Sequence, residues 1–429
     1  MPFRIAEIIK IHSESTIAKQ LQLRLRGAVT PVNLRGRLVL EVMEVSAEGL
    51  DVVQFHLRNS SQRIEARGIR RRVEAGPRAT LEQRCRLALK EGYGSPLVGS
   101  FPFGDDLPDF LYEPAFVQRA PYHAHTQSKA VAPASIELSA FVAHPTEADF
   151  ARMVEQALDL LAQQPGSALE KVVLSRQLQL FGASGLDYDA LLDSLSQDLA
   201  ATAFRVDLSE QGDHLLIGAT PEKLISRKGL HVSSLPLAGS IPRGKTEVED
   251  RERAEQLSRS EKDSREHAMT REFVLDTLNP FCRELGTQEG TILYPTATMW
   301  HLGTAIEGKL KGADMPSAAG LAAALHPTPA VGGFPREAAR AAIADIEPYD
   351  RGFYAGAIGY VDGSGDGEWY VSLRCAELTD DRLTLHAGAG IVAGSEPDQE
   401  VRETAAKFRA MLRAMGVADV TWAGQEAAE

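Results

Sequence analysis

Two acidic doublets, Asp263/Glu266 and Glu400/Glu403, are each spaced i,i+3 in helix-like sequence, within EKDSREH and QEVRETAAK. Residues three apart on a helix share a face, so each doublet can turn two carboxylates toward one point. Two such helices facing each other would build an oxygen-rich site for a hard cation, and Mg²⁺ is the cation expected there. Glu403 is followed one turn later by Lys407, which could reach a ligand carboxylate. Taken alone, each doublet also reads as a solvated helix face with Arg and Lys partners. Upstream, Lys171 opens the apolar segment KVVLSRQLQLF and Glu222 follows HLLIGATP. A buried lysine loses charge and works as a general base, while a carboxylic acid in an apolar cleft keeps its proton and donates it to a leaving group. Either residue alone is as readily an ordinary surface group at a strand end. Together they describe an acid–base enzyme acting on a metal-bound anion.

Other motifs are weaker. GAGIVAG (388–394) lies between strand-like and helix-like sequence but does not fit GxGxxG, so a nucleotide-binding oxidoreductase is the weakest reading. There and in LAGSIPRG (237–244), glycine is read as letting backbone N–H groups approach an anion. His267, His301 and His326 lack zinc-ligand spacing and no Cys joins them. No GxSxG, HExxH or P-loop occurs.

The elements that must position these residues follow from periodicity. TEADFARMVEQALDLLAQ has helical spacing behind an N-capping Thr146, and KVVLSRQLQLF (171–181) reads as a strand. A helix at DYDALLDSLSQDL, strands at AFRVDLS and HLLIGAT, and a continuous helical tract over 247–277 follow. Further strands are expected at YAGAIGYVD, EWYVSLRCAEL and LTLHAGAGIV, with DGSGDGE (362–368) as a hairpin turn. A last helix spans about 397–415, with Ser395 and Asp398 as a capping box, Pro397 in its first turn and Gly416 at its end. Long helices among turn-separated strands, without regular βαβ alternation, predict an α+β fold on large, mostly antiparallel sheets. Residues 1–145 read as strands and one helix completing the sheet framework, 118–135 as a linker, 146–416 as the catalytic region and 417–429 as a tail.

Composition sets the frame. With 429 residues, 44% hydrophobic and 24% charged, the chain can bury a substantial core. A net charge of -13 speaks against non-specific nucleic-acid binding, and no apolar run is long enough to span a membrane. Cys85, Cys282 and Cys375 show no CxxC spacing, and the N-terminus lacks a signal-peptide core, so a cytoplasmic, reducing setting is expected.

Read together, the segments KVVLSR (171–176), GATPEKL (218–224), PLAGSIPRG (236–244), SEKDSREH (260–267), TMWHLGT (298–304), LHPTPAVGGFP (325–335), EPYDRGFYAGAIGYVDGSGDGEWYVSLRCAEL (347–378), AGAGIV (387–392) and RETAAKFRAML (402–412) resemble the chorismate-utilising enzymes, and among them the isochorismate synthases. The likeness runs in order over about 165–415 and thins toward the N-terminus, where GSFPFGDD (99–106) is similar. It implies a chorismate-utilising-enzyme fold, a sandwich of large antiparallel sheets flanked by helices, around a Mg²⁺-dependent site. The implied reaction adds a nucleophile at C2 of chorismate and expels the C4 hydroxyl. Lys171 takes the place of the base activating water, and Glu222 that of the acid protonating the departing hydroxyl. Glu266 and Glu403 match metal-binding carboxylates, with Asp263 and Glu400 as second members acting directly or through water. Arg374, Tyr354 and the backbone around Gly388 would hold the pyruvyl carboxylate, while Gly239, Ser240, His301 and Lys407 fall at ring and carboxylate positions.

Within the resemblance, Lys171 stands where amine-adding members carry Gln, which favours water as nucleophile. Ala238 stands where aminodeoxychorismate synthases place a nucleophilic Lys. Ala330 and Val331 favour an isochorismate synthase, whereas Tyr354 keeps a salicylate synthase, with its elimination of pyruvate, as the alternative. A catalytically silent binding or regulatory homologue is the non-enzyme alternative. A monomer serving a downstream isochorismate-consuming enzyme, in siderophore or menaquinone biosynthesis, is the expected setting.

Overall fold

The computed structural model describes residues 29–34, 37–42, 53–105, 107–122, 140–162, 169–182, 185–312, 314–379 and 381–417. Residues 1–51 and 52–429 form two compact units. The described part of the first is one antiparallel hairpin, Val29–Leu34 with Arg37–Val42. The second holds everything that follows.

Branched and aromatic residues alternating with polar ones dictate strands. Among the described residues, seventeen strands of the second unit join one sheet, and every recorded pairing in it is antiparallel. One arm runs Ala140–His144, Lys171–Phe181, Arg382–Ile391, Cys375–Thr379, His214–Thr220, Thr202–Asp207, Gln54–Arg58 and Gln62–Arg72. The other continues through Phe110–Pro121, Leu97–Phe101, Ala357–Val361, Gly367–Val371, Lys223–Lys228, His231–Leu235, Ile306–Leu310 and Cys282–Thr287. The short Gly333–Phe334 strand pairs with the start of Lys171–Phe181. Both arms contribute to one buried core, with Phe55, Ile64, Val172 and Leu174 from the first and Phe101, Ile225, Ile358 and Trp369 from the second. A three-stranded sheet, Leu237–Pro242, Met299–Gly303 and Ile292–Pro295, stands beside it. With the helices this is the α+β architecture expected, and strands between 53 and 144 are part of the same ladder as those after 170.

Several boundaries differ from the periodicity. The tract over 247–277 is two helices, Glu247–Arg259 and Glu261–Leu278, because Ser260 leaves helical geometry and caps the second through Asp263 N. EWYVSLRCAEL is two strands, Gly367–Val371 and Cys375–Thr379, divided where Arg374 takes a left-handed φ of 48°. The last helix is Pro397–Ala414, with Pro in its first turn, but no side chain caps it. Ser395 instead accepts from Val392 N, so the capping box is not formed. The GAGI of GAGIVAG (388–391) is strand, inside Arg382–Ile391, rather than a loop. Residues 118–121 of the expected linker end the Phe110–Pro121 strand; 123–135, and the tail from 418 onward, lie outside the described residues. Among the described residues no helix is long and apolar enough to cross a membrane.

Candidate active site

Period-two alternation puts Lys171, Val173 and Ser175 on one face of their strand, while Val172 and Leu174 enter the core from the other. The partner strand Arg382–Ile391 alternates the same way, presenting His386, Gly388 and Gly390. Two helices close this face. Glu261–Leu278 carries Glu266, and Pro397–Ala414 carries Glu403 and Lys407 one turn apart while burying Phe408, Met411 and Leu412 in a second core.

One cavity results. It is lined by Glu222, Gly239, Ser240, Glu266, His301, Ala330, Val331, Tyr354, Arg374, Gly388, Glu403 and Lys407, twelve of the fifteen residues singled out in the sequence. Lys171, Asp263 and Glu400 are not on its surface. Lys171 is fully buried behind it, with Nζ 2.9 Å from Glu266 Oε1 in an ion-pair contact. Asp263 bonds Ser260 and lies under Gly239, where an added Cβ would come within 2.9 Å of the Asp263 Cβ. Gly239 also has a φ of +76° at a bulge in its strand, a conformation costly to any residue with a Cβ. Glu400 turns away and accepts from Lys262 Nζ at 2.5 Å. The i,i+3 spacing therefore brings only one carboxylate of each doublet to the cavity.

Burial and partners set the charges. Glu222 is 2% exposed, its Oε1 lacks a hydrogen-bond partner, and burial pushes its carboxyl up to about 8 against the pull of Lys171, Lys407 and Arg374. That direction favours the protonated form at neutral pH. Glu403 is also desolvated, yet Lys407 (2.6 Å) and Ser240 (3.0 Å) hold its carboxyl below the ordinary range. Lys407 also donates to Gly388 O at 2.8 Å. Burial, with Arg374 and Lys407 nearby, keeps His301 neutral, and its Nε2 lies 3.4 Å from Arg374 Nη2. Tyr354 stacks on His386 with centroids 4.7 Å apart.

Sequence reasoning missed Val173, Leu237, Leu373, His386 and Gly390 as lining residues, and Lys262 as the partner of Glu400. Alternation from Gly388 would have found His386 and Gly390. Gly390 matters because a Cβ there would sit 2.2 Å from Glu266 Oε1, so the glycine makes room for that carboxylate.

Isochorismate synthase DhbC of Bacillus subtilis is 49% identical over 278 residues, covering 64% of this chain and 69% of the relative. Isochorismate synthase EntC of Escherichia coli K12 is 38% identical over 339 residues, covering 77% and 84%. A crystal structure of DhbC from Bacillus anthracis superposes with a TM-score of 0.79 at 35% identity, covering 86% of this chain and 97% of that one. Residues 114–416 match the family described as chorismate binding enzyme, and the chain belongs to that family.

Proposed function

We propose that the chain is an isochorismate synthase, converting chorismate to isochorismate by adding water at C2 and losing the C4 hydroxyl. The observation that carries this is Glu222, a buried carboxyl still protonated at neutral pH in a cavity whose other walls carry Arg374 and Lys407. A dianionic substrate gives those cations a partner, and expulsion of hydroxide from carbon requires an acid that keeps its proton until the bond breaks. Glu222 gives that proton to the departing C4 oxygen, and Lys171, buried beside the cavity, takes one from the attacking water once its ion pair with Glu266 opens and its ammonium has given up a proton. One water enters and one leaves, so substrate and product are isomers, and proton return through solvent resets both groups. Arg374 and Tyr354 face the pyruvyl carboxylate; His301, neutral, is a hydrogen-bonding partner rather than a charge. Ala238 offers no nucleophile, which removes the covalent route by which an amine-adding relative could work.

Magnesium suits the donor chemistry. Desolvation, then Glu266 and Glu403, raises the Asp263 carboxyl, and burial with Glu403 raises Glu400 to about 7. Carboxylates crowded in this way favour a divalent cation. Glu266 and Glu403 would hold it, with Asp263 and Glu400 behind them. Among the described residues no three such side chains already surround one point, and Lys171, Lys262 and Lys407 now neutralise Glu266, Glu400 and Glu403. When bound, the ion supplies positive charge for the substrate's ring carboxylate.

The test is incubation of purified protein with chorismate and Mg²⁺, with and without a chelator, followed by chromatographic separation. Isochorismate reaching a plateau beside remaining chorismate, lost on chelation and restored by Mg²⁺, is expected. Salicylate with stoichiometric pyruvate would replace this reading, and the relatives' names lend that outcome no support. No turnover under any condition would refute the assignment.

A further inference from the structure

We infer that Arg351 is a positioning residue for this reaction, acting through the backbone of two cavity walls; the inference rests on the reading above. Arg351 is 3% exposed. Its guanidinium grips Glu347 through Nε (2.8 Å) and Nη2 (2.6 Å). The remaining donors reach two carbonyls, Val331 O from Nη1 at 2.8 Å and Val173 O from Nη2 at 2.6 Å. Val173 and Val331 both line the cavity, and Val173 lies two residues from Lys171 on the same face of its strand.

Glu347 completes the clamp from the other side, accepting from Ser175 N (2.7 Å) and Ser175 Oγ (2.9 Å). Ser175 Oγ is bonded in turn to Tyr349 OH at 3.1 Å. One buried ion pair thus ties the strand carrying Lys171 to the segment carrying Ala330 and Val331, at two successive alternate positions of that strand, Val173 and Ser175. Burying a pair of charges is a poor source of stability, because desolvation offsets most of the attraction. What this pair does provide is direction. A planar fork fixes two carbonyls and a carboxylate in one plane, which an ammonium group or apolar packing cannot do. The clamp holds Lys171 and the apolar wall at a fixed separation across the substrate ring.

The test uses the full chain with Arg351→Lys and Glu347→Gln, measuring steady-state kinetics on chorismate with Mg²⁺ beside the thermal unfolding midpoint. Folded Arg351→Lys is expected to lose at least tenfold in kcat with KM changed less than threefold, since misplacement of a base by a fraction of an ångström affects the chemical step more than binding. Glu347→Gln, which keeps the shape and one acceptor, is expected to lose less. A wild-type kcat in folded Arg351→Lys would overturn the inference. So would failure of both variants to fold, which would make the pair a requirement of the fold alone. Absence of isochorismate formation by the unaltered protein would instead refute the function on which it rests.

Discussion

Glu222 and Glu403 line the same cavity and both lose solvent there, yet their protons are held in opposite ways. Glu222 lies between strands His214–Thr220 and Lys223–Lys228 with no bonding partner on its Oε1, and desolvation takes it up to about 8. Glu403, with a side chain 20% exposed, sits one helical turn before Lys407, accepts from Ser240 as well, and is held below the ordinary carboxylate range. The charge of each carboxylate follows from its exposure together with the ammonium that does or does not stand one turn away. In the proposed reading Glu222 serves as the acid and Glu403 as an anion for a cation, and a single substrate in the cavity can meet both.

The contrast is most severely tested at Lys171, which pulls on Glu222 and touches Glu266. Lys171→Ala is expected to lower kcat by about 10⁴-fold with a native circular dichroism spectrum; substantial residual turnover would break the mechanism. Glu222→Gln keeps the shape and removes the proton, and a loss of about 10²–10³-fold in kcat is expected. Lys407→Gln takes away the partner of Glu403, so that carboxyl should rise toward its neighbour Glu400, and about a tenfold rise in KM with weaker Mg²⁺ dependence is expected.

The pH profile sharpens the comparison further. Because the Glu222 carboxyl is raised from 4.5 to about 8, its active, protonated form disappears as pH climbs through 8. Activity should fall above that pH, and Glu222→Gln should erase that limb. The stability sign runs the same way: the folded state holds a proton the unfolded chain has lost between 4.5 and about 8, so stability declines as pH rises through that window. The smallest effect is expected at Ser260→Ala, which removes the cap on Asp263 N and costs about 1 kcal/mol, with kcat retained.

Much of this was legible from residue types and order. The i,i+3 spacing of Glu400 and Glu403, the i,i+4 spacing of Glu403 and Lys407, the apolar strand opening at Lys171 and the glycine-rich segments each announce a local geometry. What periodicity does not carry is who turns toward whom. Asp263 is captured by Ser260 and Glu400 by Lys262, both through side-chain bonds that interrupt the simple helical face. Arg374 bends the chain into a left-handed φ where the pattern reads as unbroken strand, and its guanidinium meets the cavity for that reason. Arg351 could not be found from spacing, since its partners Val173 and Val331 are joined to it only by backbone carbonyls brought together in the fold.

The most direct test of the central claim is to run the reaction in ¹⁸O-enriched water and analyse isochorismate by mass spectrometry at early conversion. One ¹⁸O on the C2 hydroxyl, with recovered chorismate unlabelled until the reverse reaction sets in, is the result expected of water activated at one end of the cavity and hydroxyl lost at the other. Unlabelled isochorismate would mean that the hydroxyl migrates within the substrate, and would contradict the division of labour between Lys171 and Glu222.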